Sequence, residues 1–379
     1  MSNVRAPWRY DFVGSFLRPQ RLKDARAKFE KGEIDAAALK AVEDDAIAEV
    51  VARQKVLGYH IITDGEFRRA TWHLDFMWGF QGVTHTKTAS GIPFHDEPAM
   101  IDDTYLNGRV SLEGEHPFVS HYRYIKSFED ANTAAKQTMP APAQFLEQMI
   151  FPMSMEATGK YYPLPGGGVD MDALMADIAA GYKKVIQQLY AAGCRNIQFD
   201  DCTWGCFVDP TAEFIFGRSK EELKVLEKQF VQMNNMAIEG KPEDLVINSH
   251  ICRGNFHSTW ACQGGYDSIA ELVFGGENVN AFFLEYDDAR SGSFEPLKYV
   301  SPDKKIVLGL ITTKSPFLED KNAVKARIEE ASKYIPLERL CLSPQCGFAS
   351  CEIGNKLTEQ QQWAKLRLVK EIAEDVWGK

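Results

Sequence analysis

Along most of this chain, short apolar runs with β-type composition alternate with longer stretches whose apolar positions recur every three or four residues. Eight such runs each end in polar or glycine-rich residues: FVGS to Ser15, HIITDGE to Glu66, KQTMP to Pro140, IQFDD to Asp201, VINSHIC to Cys252, FFLEYD to Asp287, IVLGLITT to Thr313 and LCLSPQC to Cys346. The stretches between them carry helix punctuation. Asp35 can cap a helix with Ile47, Val50, Val51, Gln54 and Leu57 at helical spacing and Gly58 at its end. Asp170 opens another, with Leu174, Ile178, Val185 and Leu189 on one face and Gly193 as its stop. Ser219 and Glu222 form a capping box for a third that ends near Gly240. Strands alternating with helices predict a parallel sheet, and eight repeats predict an α/β fold: a single (β/α)8 barrel over residues 1–379. The stretch 78–126, rich in Gly, Thr, His and Tyr, breaks the alternation and reads as a β-hairpin insertion or lid between the second and third strands. Such an insertion on the loop face commonly shapes a substrate pocket.

Composition agrees with one large core. The 379 residues are 45% hydrophobic and 25% charged, without a low-complexity tract. A net charge of -10 and the lack of a basic stripe exclude a general nucleic-acid surface. No stretch approaches the roughly 18 apolar residues of a membrane span, and MSNVRAPWRYDFVGS lacks the apolar run of a secretory signal. A cytoplasmic protein with no membrane partner is expected. All eight cysteines fall in the second half, a poor pattern for a disulfide framework. Metal ligation or reactive thiols suit it better, with buried structural cysteine as the ordinary alternative.

In barrels of this kind the active site lies at the C-terminal ends of the strands. His250 and Cys252 sit on the fifth run, Glu285 on the sixth and Cys346 on the eighth. Residues two apart on a strand point the same way, so His250 and Cys252 can share an ion. Imidazole, two thiolates and a carboxylate suit tetrahedral zinc. The bland alternatives are a Cys252 packed as a small hydrophobe and a His250 satisfied by a backbone carbonyl. A purely structural zinc would call for paired C-x-x-C knuckles, which are missing.

These residues stand in motifs that resemble the C-terminal catalytic barrel of cobalamin-independent methionine synthase, and more closely the short single-barrel members of that family. The motifs are VGSFLRP, ITDGEFRR, IQFDD, HIC, FFLEYD and SPQCGF, in the same order over nearly the whole chain. The resemblance implies zinc on His250, Cys252, Glu285 and Cys346, and homocysteine at Val13, Gly14, Ser15, Glu66 and Asp200. The chemistry is consistent with it. Only a thiolate attacks carbon, and zinc coordination supplies one at neutral pH. Exchanging the Glu285 carboxylate for a substrate thiolate leaves the formal charge of the site unchanged, so Glu285 is the expected exchangeable ligand. Glu66 and Asp200 suit the ammonium of an amino-acid substrate, and the backbone near Gly14 and Ser15 its carboxylate. Without the resemblance, solvated loop carboxylates and a turn glycine are equally good readings. Asp64 and Asp201 support these groups or are plain polar strand ends. Arg68, Arg69 and Trp72 line the pocket or form a charged first helical turn. Gly166 to Gly168 suggest a flexible connector and not a phosphate loop.

The match departs in the donor half. Full-length synthases carry an additional N-terminal barrel that these residues do not match. The family's proton-donating histidine corresponds to Lys314, a folate-binding acidic residue to Cys206, and a folate-contacting tryptophan to Gln148. Asp200 and Lys314 are therefore the catalytic candidates. Two roles are open to Lys314: burial depresses its pKa until it acts as the acid, or it pairs with an anionic part of the donor; a loop lysine in solvent is the alternative. The expected partners are a small-molecule thiol, homocysteine first, and a methyl donor, methyl-folate or another, and a homo-oligomer is compatible with the sequence. Zinc-dependent alkylation of a different thiol, as in coenzyme M transferases, and a noncatalytic zinc-binding barrel stay beside the methyltransferase reading. Retention of Glu66 and Asp200 favours homocysteine.

Overall fold

In the computed structural model, which describes residues 4–88 and 91–378, the local punctuation is in place. The Asp35 carboxylate accepts a 2.8 Å hydrogen bond from Ala38 N, opening the helix Ala36–Leu57, and Gly58 closes it at φ 90°. Asp170 caps Met171–Ala191, and both halves of the Ser219–Glu222 capping box open Lys220–Ile238. Each satisfies backbone N–H groups that a helix start leaves unpaired.

The strands are β1 (Ile61–Ile62), β2 (Gln81–Val83), β3 (Leu106–Ser111), β4 (Ala134–Ala135), β5 (Gln137–Pro140), β6 (Asn196–Asp200), β7 (Val246–Ile251), β8 (Ala281–Glu285), β9 (Lys305–Ile311) and β10 (Leu340–Pro344). From β5 to β10 they form one six-stranded parallel sheet in chain order. β1 pairs in parallel with β4, which precedes β5 by one residue, and at the other end Tyr10 makes a parallel bridge to Leu342 of β10. The first run meets the second through Phe16 N to Gly65 O, 3.1 Å, and Thr63 Oγ1 to Gly14 O, 2.7 Å. All eight runs thus take part in the circuit of a (β/α)8 barrel.

Two runs are less regular than expected. FVGS to Ser15 forms no strand beyond the bridge at Tyr10, and the second run keeps only Ile61–Ile62. The backbone gives the reason: Gly14, Gly65 and Glu66 have φ of 154°, 69° and 62°, which turns the chain out of the extended form before a ladder can build. The insertion is also shorter than 78–126. β2 and β3 pair antiparallel, and bridges Thr86–Asp103 and Ile92–Ala99 prolong the hairpin, but Pro117–Lys126 is a helix. Its Phe118, Val119, Tyr122 and Ile125 are buried at helical spacing, which a composition rich in polar residues conceals. Residues 89 and 90 of the insertion lie outside the described residues.

Apolar residues fill the layer between strands and helices, while the barrel interior carries a polar chain that leads to the site. Lys136 Nζ lies 3.1 Å from Asp11 Oδ1 and 2.9 Å from Gln198 Oε1, all buried. Gln198 Nε2 then donates to Val13 O at 2.8 Å and to Asp200 Oδ1 at 2.9 Å. Breaking such a buried pair costs about 3–5 kcal/mol, so this chain fixes the heights of Val13 and Asp200. Among the described residues no helix is long and apolar enough to cross a membrane.

Candidate active site

Parallel pairing sets Asp200, at the end of β6, beside His250 on β7. Two residues on, past the end of β7, Cys252 falls on the same side, and the loop after β10 brings Cys346 across. The donor atoms of His250, Cys252 and Cys346 all lie within 4.8 Å of one another, and all three residues are buried. Bonds of about 2.0–2.3 Å to a tetrahedral zinc put ligand atoms roughly 3.3–3.8 Å apart, so a small contraction fits this trio to the ion. His250 Nδ1 lies 3.1 Å from Asp200 Oδ1, the kind of contact that orients a ligating imidazole. Its Nε2 lies 3.2 Å from Gln345 O, so the backbone-carbonyl contact of the bland reading is present too.

Glu285 stands outside the trio. Its Oε2 accepts from Arg253 N at 2.8 Å, and its Oε1 takes Arg290 Nη2 at 3.0 Å and Lys314 Nζ at 3.3 Å. Burial alone would raise this carboxyl, but Lys314, Arg253 and Arg290 hold it down at about 2. Lys314 is drawn away as well: Asp287 Oδ2 lies 3.6 Å from its Nζ, and the lysine is not among the residues lining the cavity. Burial acts to lower its pKa, yet the Glu285 and Asp287 charges leave it above the ordinary lysine value. The depressed pKa required by the first role foreseen for Lys314 is thus replaced by its opposite.

A cavity of about 130 Å³ lies over the trio, and Val13, Ser15, Glu66 and Asp200 share its wall with them. Gly14 lies behind that wall. A Cβ there would meet Thr138 Cγ2 at 2.6 Å, so this position admits only glycine for both space and φ. Ser15 Oγ accepts from Ala349 N at 3.3 Å, tying the first run to the loop that carries Cys346. Glu66 Oε1 accepts from Thr138 Oγ1 at 2.8 Å and faces Arg69 Nη1 at 3.5 Å, while its buried Oε2 has no partner. Burial, with Asp200 adding and Arg69 opposing, raises the Glu66 pKa. Ile92, Phe94, Ala99 and Ile101 of the hairpin complete the cavity, and Asp103 of the same hairpin accepts from Gln148 Nε2 at 3.2 Å.

Other residues singled out in the sequence divide. Trp72 lines the cavity and stacks on His73. Arg68 instead pairs with Glu43 and Asp44. Asp64 Oδ1 accepts from Glu66 N at 2.8 Å and Asp201 Oδ2 from Asn234 Nδ2 at 2.8 Å, so both act as supports. Gly166 to Gly168, all with positive φ, make the turn between bridged Pro163 and Val169. Inspection of strand ends missed Glu147 and His73, which line the cavity from helices and loops, and Cys202, whose Sγ lies 3.1 Å from Cys252 Sγ. A glutamate inside the apolar stretch QFLEQMI was the available signal for Glu147.

Residues 163–375, which carry β6 to β10 and every clustered donor, match the catalytic domain of cobalamin-independent synthase. The chain belongs to that family. It is 44% identical over 381 residues to the uncharacterized protein YxjG of Bacillus subtilis, covering 100% of this chain and 97% of YxjG. The crystal structure of a protein from Listeria monocytogenes provisionally described as a vitamin-B12-independent methionine synthase is 37% identical, with a TM-score of 0.77 and coverage of 100% of both chains. The 5-methyltetrahydropteroyltriglutamate–homocysteine methyltransferase of Cronobacter sakazakii is 22% identical over 349 residues, covering 90% of this chain and 40% of that longer synthase. Val13, Gly14, Ser15, Glu66 and Glu147 lie outside the segment matched to the synthase catalytic domain.

Proposed function

We propose that this barrel is a cytoplasmic methyltransferase that moves a methyl group onto the sulfur of homocysteine to give methionine, from methyl-folate or another methyl donor. The observation that carries the reading is the meeting of His250, Cys252 and Cys346 with the carboxylates of Glu66 and Asp200 around one buried cavity. Zinc held by His250, Cys252 and Cys346, with Glu285 as exchangeable fourth ligand, would supply the acidity that keeps the substrate sulfur a thiolate.

The chain's own groups select and place the thiol. Among the described residues only Oδ1 of Asp200 is hydrogen-bonded, which leaves Oδ2 for a ligand. Glu66 Oε2 is equally free, and its raised pKa reflects burial and the repulsion between the two carboxylates. An ammonium between them relieves that repulsion, which favours an amino-acid thiol over one without the amino group. Val13 and Ser15 close the cavity near the substrate carboxylate, with Gly14 holding the turn behind them. Lys314 pairs with Glu285 at 3.3 Å and would balance the charge of that carboxylate whenever it is not on a metal.

The test is a mass-resolved assay of zinc-loaded protein with homocysteine and a panel of donors carrying trideuterated methyl groups. Methionine heavier by about three mass units, one for each deuterium that replaces a hydrogen, supports the reading. Alkylation only of thiols lacking an amino group would transfer it to a different substrate class.

A further inference from the structure

A methyl group leaves an amine nitrogen readily only if that nitrogen takes up a proton as the bond breaks. The groups around the thiol site are poorly placed to give one: Lys314 is bound to Glu285 and Asp287 outside the cavity. The opposite wall offers a better candidate. Glu147, on the helix Pro142–Ile150 that follows β5, lines the cavity and is 2% exposed. Its Oε2 accepts from Gln144 Nε2 at 2.7 Å and from Thr203 Oγ1 at 3.3 Å, whereas its buried Oε1 has no hydrogen-bond partner.

A buried carboxylate normally pairs with a cation. Here the polar neighbours are Gln144, Thr203, Cys206 and Asp201, none of them a cation. Cys206 in turn lies 3.7 Å from Cys262, and Asp201 is joined through Asn234 to a further carboxylate, Glu277. Burial, with the Asp201 charge adding to it, pushes the Glu147 carboxyl up to about 8, so near neutrality it holds its proton. Oε2 accepts from Gln144 Nε2 and shares the single Thr203 hydroxyl proton with Gln144 Oε1, which lies 3.2 Å from Thr203 Oγ1, so Oε1, without a partner, is the oxygen left to carry the proton.

We propose that Glu147 is the general acid of methyl transfer, giving its Oε1 proton to the donor nitrogen from which the methyl group departs. The proposal rests on the methyltransferase reading with a donor that, like methyl-folate, carries its methyl group on a tertiary amine nitrogen; what it adds is the residue that supplies the proton. As the carbon–sulfur bond forms and the carbon–nitrogen bond breaks, nitrogen keeps the bonding pair and takes the proton. The products are a thioether, a secondary amine and the Glu147 carboxylate, which regains its proton from water after the products leave.

Glu147→Gln keeps shape and hydrogen bonding but has no proton to give. Two measurements on the zinc-loaded enzyme decide the matter. In wild-type minus Glu147→Gln difference infrared spectra at neutral pH, the carbonyl stretch of one protonated carboxylic acid should remain; difference spectra without that band overturn the proposal. In single-turnover transfer from 5-methyltetrahydrofolate to homocysteine, Glu147→Gln should be slower by about 10²–10⁴-fold with homocysteine affinity retained by calorimetry. An unchanged rate also overturns it. Glu147→Asp keeps an acid and should recover part of the rate, whereas a role in packing alone leaves both variants equally slow. A wild-type enzyme that transfers no methyl group from any nitrogen donor overturns the assignment of donor class before a variant is made, and the infrared band still reads the proton.

Discussion

Lys314 Nζ lies 3.3 Å from Glu285 Oε1, on the same oxygen that receives Arg290 Nη2 at 3.0 Å. The residue expected as exchangeable metal ligand is therefore held by cations, and the residue expected to handle the donor is one of them. Their pairing holds Lys314 beside Glu285 and away from the cavity wall.

Removing one of those cations should make Glu285 a more persistent ligand. Lys314→Met is expected to slow zinc loss to a chelator and to slow thiol alkylation, each by about 10–100-fold. It should also lower the melting temperature, because Asp287 loses its 3.6 Å partner. Chelator competition and transfer rates measured on the same preparation check this, and unchanged zinc retention would sink the coupling.

Cys252 and Cys346 belong to the trio whose donor atoms lie within 4.8 Å of one another. Either Cys→Ala substitution should strip the metal, taking zinc from one equivalent per chain to near zero by elemental analysis. A double variant that keeps a tightly held equivalent would show that the ligands lie elsewhere.

Asp200→Asn separates substrate binding from ligand orientation. Asparagine can still accept from His250 Nδ1, now 3.1 Å from Oδ1, so zinc should be retained. The lost charge should weaken homocysteine by about 2–5 kcal/mol while sparing a thiol without an amino group. Equal losses for both thiols in calorimetric titrations would remove the ammonium contact.

Glu147 gives a pH signature in stability. Its carboxyl ionises near the usual 4.5 in the unfolded chain and near 8 in the fold, through burial and Asp201. Between those values the folded state holds a proton that the unfolded state has released. The stabilisation is therefore complete below about 4.5 and lost as pH rises through about 8. Glu147→Gln has no such loss, so its melting temperature relative to wild type should climb from pH ~5 to ~8 and level off above. A constant difference across that range contradicts a raised pKa.

The helices were legible because capping is local: Asp35 and Ser219 act within three residues of themselves. The meeting of His250 and Cys252 was legible too, since a two-residue offset at a strand end sets them on one side, and Cys346 joins them from the end of the last strand. The first two strands were not, because positive φ at Gly14, Gly65 and Glu66 is invisible in an apolar pattern. The orientation of Glu285 was equally hidden: it depends on Arg253, Arg290 and Lys314, which converge from separate loops. Glu147 is not legible from strand ends because it comes from the helix Pro142–Ile150, where one acidic residue in an apolar stretch does not reveal which way it faces.

The most direct test of a thiol activated at the trio is X-ray absorption at the zinc edge, recorded before and after homocysteine is added to saturation. The account predicts two sulfur ligands, Cys252 and Cys346, rising to three as the substrate joins them. A two-sulfur coordination sphere unchanged by saturating homocysteine would contradict it.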